Sequence, residues 1–182
     1  MAVSLDSDLN TLQAFLADFD PYLKSETIFW SVGANSPALT VGGLLLIRRT
    51  LQARRSQMSA AQSAAFDALD TQADTIFGRW PVNIEKKTAK EINARLNAWV
   101  NTLEELGEGY AQAVTPRVQI SLMLPLVARL PEAATFQNWL AAYDTRLRAK
   151  LAPSGFIWEA VLQDSFPQSE FWFLYGKPTG RP

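Results

Sequence analysis

Apolar residues recur along most of this chain at intervals of three and four, the spacing that places side chains on one face of a helix. Leu9, Leu12, Leu16 and Phe19 make the first stripe, with Asp6 or Ser7 placed to cap it and Pro21 placed to end it. After a connector anchored by Ile28-Phe29-Trp30 and a Gly-Ala-Asn-Ser-Pro loop, Ser36-Pro37 reads as a second helix start. That helix is expected to span 36–55, and Gly42-Gly43 inside it costs roughly 1 kcal/mol per glycine against alanine, which implies a neighbour packed close to the backbone. A helix over 60–78 carries Phe66, Leu69, Ala73, Ile76 and Phe77; its short link makes it an antiparallel neighbour of the one before. The next, over 83–106, carries Ile92, Leu96, Trp99, Leu103 and Leu106 at the alternating spacing of a bundle seam. A last helix over 131–151 turns Phe136, Trp139, Leu140, Tyr143 and Leu147 inward.

Two stretches resist this pattern. Val118, Ile120, Leu122, Leu124 and Leu126 alternate as in a strand, yet Thr115-Pro116 announces a helix, so 117–126 is open between the two. A helix bent at Pro125 is preferred, because a lone strand needs a partner. The segment 152–182 is aromatic and broken by proline and glycine. It is either extended chain laid over the bundle or a hairpin pairing 156–161 with 171–175, with 176–182 loose. The expected fold is therefore all-α: a single-domain antiparallel bundle of five to seven helices over 1–182, with an aromatic, partly irregular C-terminal segment packed on it.

Composition narrows the chemistry more than the fold. Seventeen basic against 18 acidic residues leave a net charge of −1, so no global field draws the chain to nucleic acid or an anionic membrane. Without cysteine there are no disulfides or thiolate nucleophiles; without histidine there is no Ser–His pair and no imidazole metal ligand. A metal ion here would be a hard one on oxygen ligands: magnesium, calcium or manganese. The N-terminal stretch is acidic rather than basic, unlike a secretory signal. The run Val41 to Ile47 falls far short of the ~20 residues that span a bilayer. A cytoplasmic protein is the expectation.

Four constellations remain. Asp67, Asp70 and Asp74 share one stripe and suit a magnesium or manganese ion, with Arg48 or Arg49 clamping a phosphate; the bland reading is a ladder with the preceding helix, Arg48 level with Asp67. Arg48, Arg49, Arg54 and Arg55, with Lys86, Lys87 and Lys90, suit phosphates of nucleic acid or lipid, although arginines in last helical turns also face the dipole and pair with carboxylates. The apolar run 38–47 suits a membrane surface, but a buried central helix is the favoured reading. Glu91 before Arg95 and Asp144 before Arg148 read as exposed-face pairs.

Glu104-Glu105-x-x-Glu108 resembles, over five residues, the EExxE element of the all-helical nucleotide pyrophosphohydrolases. That family adds an ExxD element on the next helix, which is missing after Glu108, and Gly107 and Gly109 interrupt the helix, so membership does not follow. Finally, Trp158, Phe171, Trp172, Phe173 and Tyr175 suit interface anchors, or else close the end of the bundle. The functional expectation is a helical interaction or scaffold protein without a cofactor, self-associating through aromatic surface, with itself or another protein as partner. The first alternative is a magnesium- or manganese-dependent enzyme on nucleotides or other phosphorylated small molecules. The second is membrane or nucleic-acid binding through 48–55.

Overall fold

The computed structural model describes residues 4–33 and 36–179. Among these residues the chain forms seven α-helices and one short antiparallel hairpin near the C-terminus, as the all-α reading expects. Two compact units make up the chain, with the boundary between Glu91 and Ile92. Ala34 and Asn35 of the expected loop, and 180–182 of the expected loose end, lie outside the described residues.

The first unit holds α1 (Leu5–Lys24), α2 (Val41–Ala53), α3 (Ala60–Arg79) and the start of α4 (Pro81–Glu104). Its centre is α1, which packs against both α2 and α3 and buries Leu12, Phe15, Phe19 and Tyr22. The cap of α1 is Ser4, whose hydroxyl accepts from Ser7 N–H, rather than Asp6 or Ser7. Pro21 lies inside the helix instead of ending it. Proline removes one N–H, but Tyr22 and Leu23 beyond it are both buried, and continuing the helix one more turn is what buries them.

Helix α2 begins at Val41, five residues later than Ser36-Pro37 suggests. Leu39 is held in a bridge to Trp30, with Leu39 N–H donating to Trp30 O at 2.8 Å, so the chain before Thr40 is committed to extended backbone. Thr40 then caps α2 by accepting from Gly43 N–H. The helix stops at Ala53 and a 3₁₀ turn, Arg55–Gln57, follows. It is not the central helix: α1 holds that place, and Leu45, Leu46 and Ile47 of α2 are only half-buried. In the connector, Trp30 is the anchor, its indole N–H donating to Asp18 Oδ2 at 3.0 Å, while Phe29 faces outward. Ser59 and Gln62 close a reciprocal capping box that starts α3.

The second unit holds the rest of α4, with Ile92, Leu96, Trp99 and Leu103 buried, then α5 (Tyr110–Ala113), α6 (Thr115–Met123) and α7 (Ala133–Lys150). The ambiguous stretch is helical, and it breaks at Pro125 into a 3₁₀ turn, Leu124–Val127. In α7, Phe136, Leu140 and Leu147 point inward, but Trp139 does not: it is 40% exposed.

The hairpin is not the expected one. It pairs β1 (Leu151–Pro153) with β2 (Gly176–Pro178), in the register Leu151↔Pro178, Ala152↔Lys177 and Pro153↔Gly176. The stretches expected to pair contain 3₁₀ turns instead, Ala160–Ser165 and Trp172–Tyr175. Phe166, Phe171 and Phe173 are all buried, in successive edge-to-face contacts with ring centres 5.1 and 6.1 Å apart. The strands close tightly at Gly176, where a β-carbon would lie 3.1 Å from Leu151 Cδ1 and 3.3 Å from Ala152 O.

Candidate functional site

The three aspartates of α3 meet arginines rather than one another. Arg48 bonds Asp70 through Nε at 2.6 Å and Asp74 through Nη2 at 2.7 Å. Arg55 takes Asp67 in a two-pronged bond at 2.6 and 2.7 Å, so Asp67 is level with Arg55 and not with Arg48. The hydrogen bond from Arg55 holds the Asp67 carboxyl below the usual carboxylate range. Among the described residues, no three acidic side chains gather where they could hold a metal ion.

Most of the basic residues are likewise engaged, Lys86 being exposed. Arg54 is buried and its Nη1 lies 3.0 Å from Asp8 Oδ2 on α1; Arg49 is half-buried and also has a partner. Lys87 is buried, donating to Ser25 O at 2.6 Å and Thr27 O at 2.9 Å, with its ammonium 4.5 Å from the centre of the Tyr22 ring. Burial pushes Lys87 below its ordinary value. Lys90 pairs with Glu26. Among the described residues, no helix is long and apolar enough to cross a membrane.

Glu91, expected on an exposed face, is 0% exposed. Both its carboxylate oxygens lie 3.2 Å from Gly42 N, at the N-terminus of α2, where unpaired N–H groups carry partial positive charge. This carboxylate is thus a close neighbour of the backbone at Gly42. Gly43 is tight as well, since a β-carbon there would lie 3.0 Å from Thr40 Oγ1 and 3.6 Å from Phe15 Cε2. Apart from the Gly-Gly pair, nothing local in the sequence distinguishes Glu91 from a solvated glutamate.

In the second unit the organising charge is Arg117. It is buried, grips Asp144 with Nε and Nη2 at 2.8 Å each, donates through Nη1 to Ser121 Oγ, and lies 4.3 Å from the centre of the Phe173 ring. Asp144 is therefore not the partner of Arg148, which stacks on Trp172 at 3.6 Å. Helix α4 ends at Glu104, which pairs with Arg146 and Lys150. Glu105 and Glu108 lie beyond the helix, so the EExxE spacing presents no shared helical face.

The expected aromatic anchors are largely internal. Phe171 and Phe173 are core residues. Trp158, Trp172 and Tyr175 are half-buried, and two of them are tied to backbone: Trp158 Nε1 donates to Ala111 O at 2.7 Å, and Tyr175 OH to Phe166 O at 2.9 Å.

An open cleft of about 560 Å³ is walled by the loop and helix start at 107–111 and by Phe156, Ile157, Lys177 and Pro178. Gly109 turns the loop with φ +88°, a left-handed conformation that glycine adopts without strain. Tyr110 follows, its hydroxyl donating to Phe173 O at 2.9 Å. On the cleft walls, Glu108 and Lys177 are exposed, and neither forms an ion pair among the described residues.

Burial drives the Tyr110 hydroxyl well above its ordinary value of 10.0. Above pH 10 the unfolded chain therefore loses this proton while the folded chain keeps it, and stability falls as pH rises, by up to about 1.4 kcal/mol per pH unit for this one group. Tyr110→Phe is expected to remove that slope. Urea titrations of both proteins between pH 9 and 11 measure it, and equal slopes would show that the hydroxyl is not buried.

No protein-family model matches the chain, and comparisons with curated proteins and with solved structures give no match either.

Proposed function

We propose that the chain is a helical interaction protein that receives a segment of another protein chain in the cleft of its second unit. The cleft carries this reading: its volume lies within the ~300–1,000 Å³ of ligand sites, and its walls are mostly apolar, with the Tyr110 and Phe156 rings among them. Burial of Phe171 and Phe173 takes these two rings out of the expected aromatic contact and leaves it to Phe156 of the same segment, which lines the cleft. The arginines of 48–55, by contrast, are occupied by the protein's own carboxylates or otherwise engaged, and this weighs against a phosphate clamp.

The mode of contact follows from the hairpin edges. Bonds from Ser154 N–H to Tyr175 O and from Thr179 N–H to Lys150 O set the ladder, so Pro153 and Pro178 occupy positions that face away from it. Proline offers no N–H to an added strand, which disfavours pairing with a partner's backbone and favours insertion of side chains into the cleft.

The test compares wild type with Ile157→Glu in the cleft wall and Trp139→Ser on exposed α7, each checked by circular dichroism for an intact fold. Proteins enriched quantitatively on wild type should be lost with Ile157→Glu and retained with Trp139→Ser. A strict monomer with no bound protein by native mass spectrometry and light scattering, or binding indifferent to Ile157→Glu, overturns the proposal.

A further inference from the structure

Resting on that reading, we infer that the cleft captures the C-terminal carboxylate of the partner chain, with an apolar last side chain lying against Phe156, Ile157 and Pro178. Three consecutive amides on the cleft wall, the N–H groups of Gly107, Glu108 and Gly109, donate to no acceptor among the described residues. The backbone around them is open: a β-carbon built at Gly107 or Gly109 would meet nothing within 4 Å. The two glycines thus add no side chain of their own to this stretch of the wall. Lys177, exposed and without an ion pair among the described residues, lines the same cleft and supplies the opposite charge.

Each element has its chemical counterpart in a chain terminus. Backbone N–H groups and an ammonium bind a carboxylate through charge-assisted hydrogen bonds, which are roughly twice as strong as neutral ones. The apolar wall beside them takes the last side chain, and capture of a terminus needs no free strand edge, consistent with the proline-blocked hairpin. Glu108 opposes this charge, because it lines the same cleft and is exposed. It balances Lys177, so a small free anion gains little. A peptide that places a basic residue a few positions before its terminus satisfies both charges at once.

The experiment measures fluorescence polarisation with peptide libraries randomised over the last four positions, synthesised as free acids and as C-terminal amides. Free acids ending in Val, Leu, Ile or Phe should bind wild type, with amides weaker by about tenfold and Lys177→Gln weaker by about fivefold towards the acids. Glu108→Lys should turn the upstream preference from basic to acidic residues. Equal binding of acids and amides overturns the inference, and if that binding is still lost with Ile157→Glu, the interaction reading stands without it. Absence of any binding below roughly 1 mM overturns the inference as well. Enrichment of whole proteins on wild type and its loss with Ile157→Glu then decide the interaction reading separately.

Discussion

Arg117→Ala is expected to destabilise the protein by about 3 kcal/mol, the low end for removing one partner of a buried ion pair. The low end applies because Arg117 is nearly inaccessible while the side chain of Asp144 is 19% exposed, so water relieves part of the stranded carboxylate's cost. The loss should also loosen the aromatic tail, because the guanidinium lies against the Phe173 ring. Arg117→Lys should recover only part of the stability: one ammonium cannot reproduce the two-pronged grip on Asp144 or the flat contact with the ring. Arg117→Met combined with Asp144→Leu should recover more than Arg117→Ala, since neither charge is then left alone. Urea denaturation at pH 7 reads all three. A loss below about 1 kcal/mol for Arg117→Ala would place the pair with ordinary surface ion pairs.

The second large effect is expected at Glu91. Glu91→Ala leaves Gly42 N–H without its acceptor inside the protein and removes a negative charge from the start of α2, for a loss of about 2–3 kcal/mol. Glu91→Gln keeps an oxygen that accepts the bond and should lose about half as much. Hydrogen exchange makes the cause visible: the amides of Gly42 and Leu44 at the start of α2 should exchange faster in Glu91→Ala, whereas those in the middle of α3 follow only the global change. Unchanged protection at Gly42 would show that the carboxylate does not hold this helix end.

Much of the fold was legible in the order of residues. The helix read over 60–78 follows from the stripe through Phe66, Ala73 and Ile76, and α4 from the seam through Leu96 and Trp99. Helix ends were harder to read. Ser36-Pro37 has the right residues for a start, but Leu39 is taken by Trp30, and Pro21 has the right residue for a stop, but Tyr22 and Leu23 beyond it are buried. In both places a contact with a distant segment outweighs a local preference. The hairpin was legible as a possibility and misplaced by register, because the rings that suggested strands are packed in 3₁₀ turns.

The candidate site was barely legible. Gly107 and Gly109 stood out only as helix breakers, while Lys177 lay in a stretch read as loose. The sequence by itself determined which segments are helical and which chemistries are missing, since periodicity is a property of neighbours along the chain and composition needs no geometry. Only the tertiary structure decided which charges are buried and what they hold. Glu91 serves a helix start 49 residues away, Arg117 a carboxylate 27 residues away, and Arg48 two aspartates in the next helix. Glutamate and arginine have the same side chains in water as in a core, and the difference between a solvated charge and a structural one is the partner that folding brings to it.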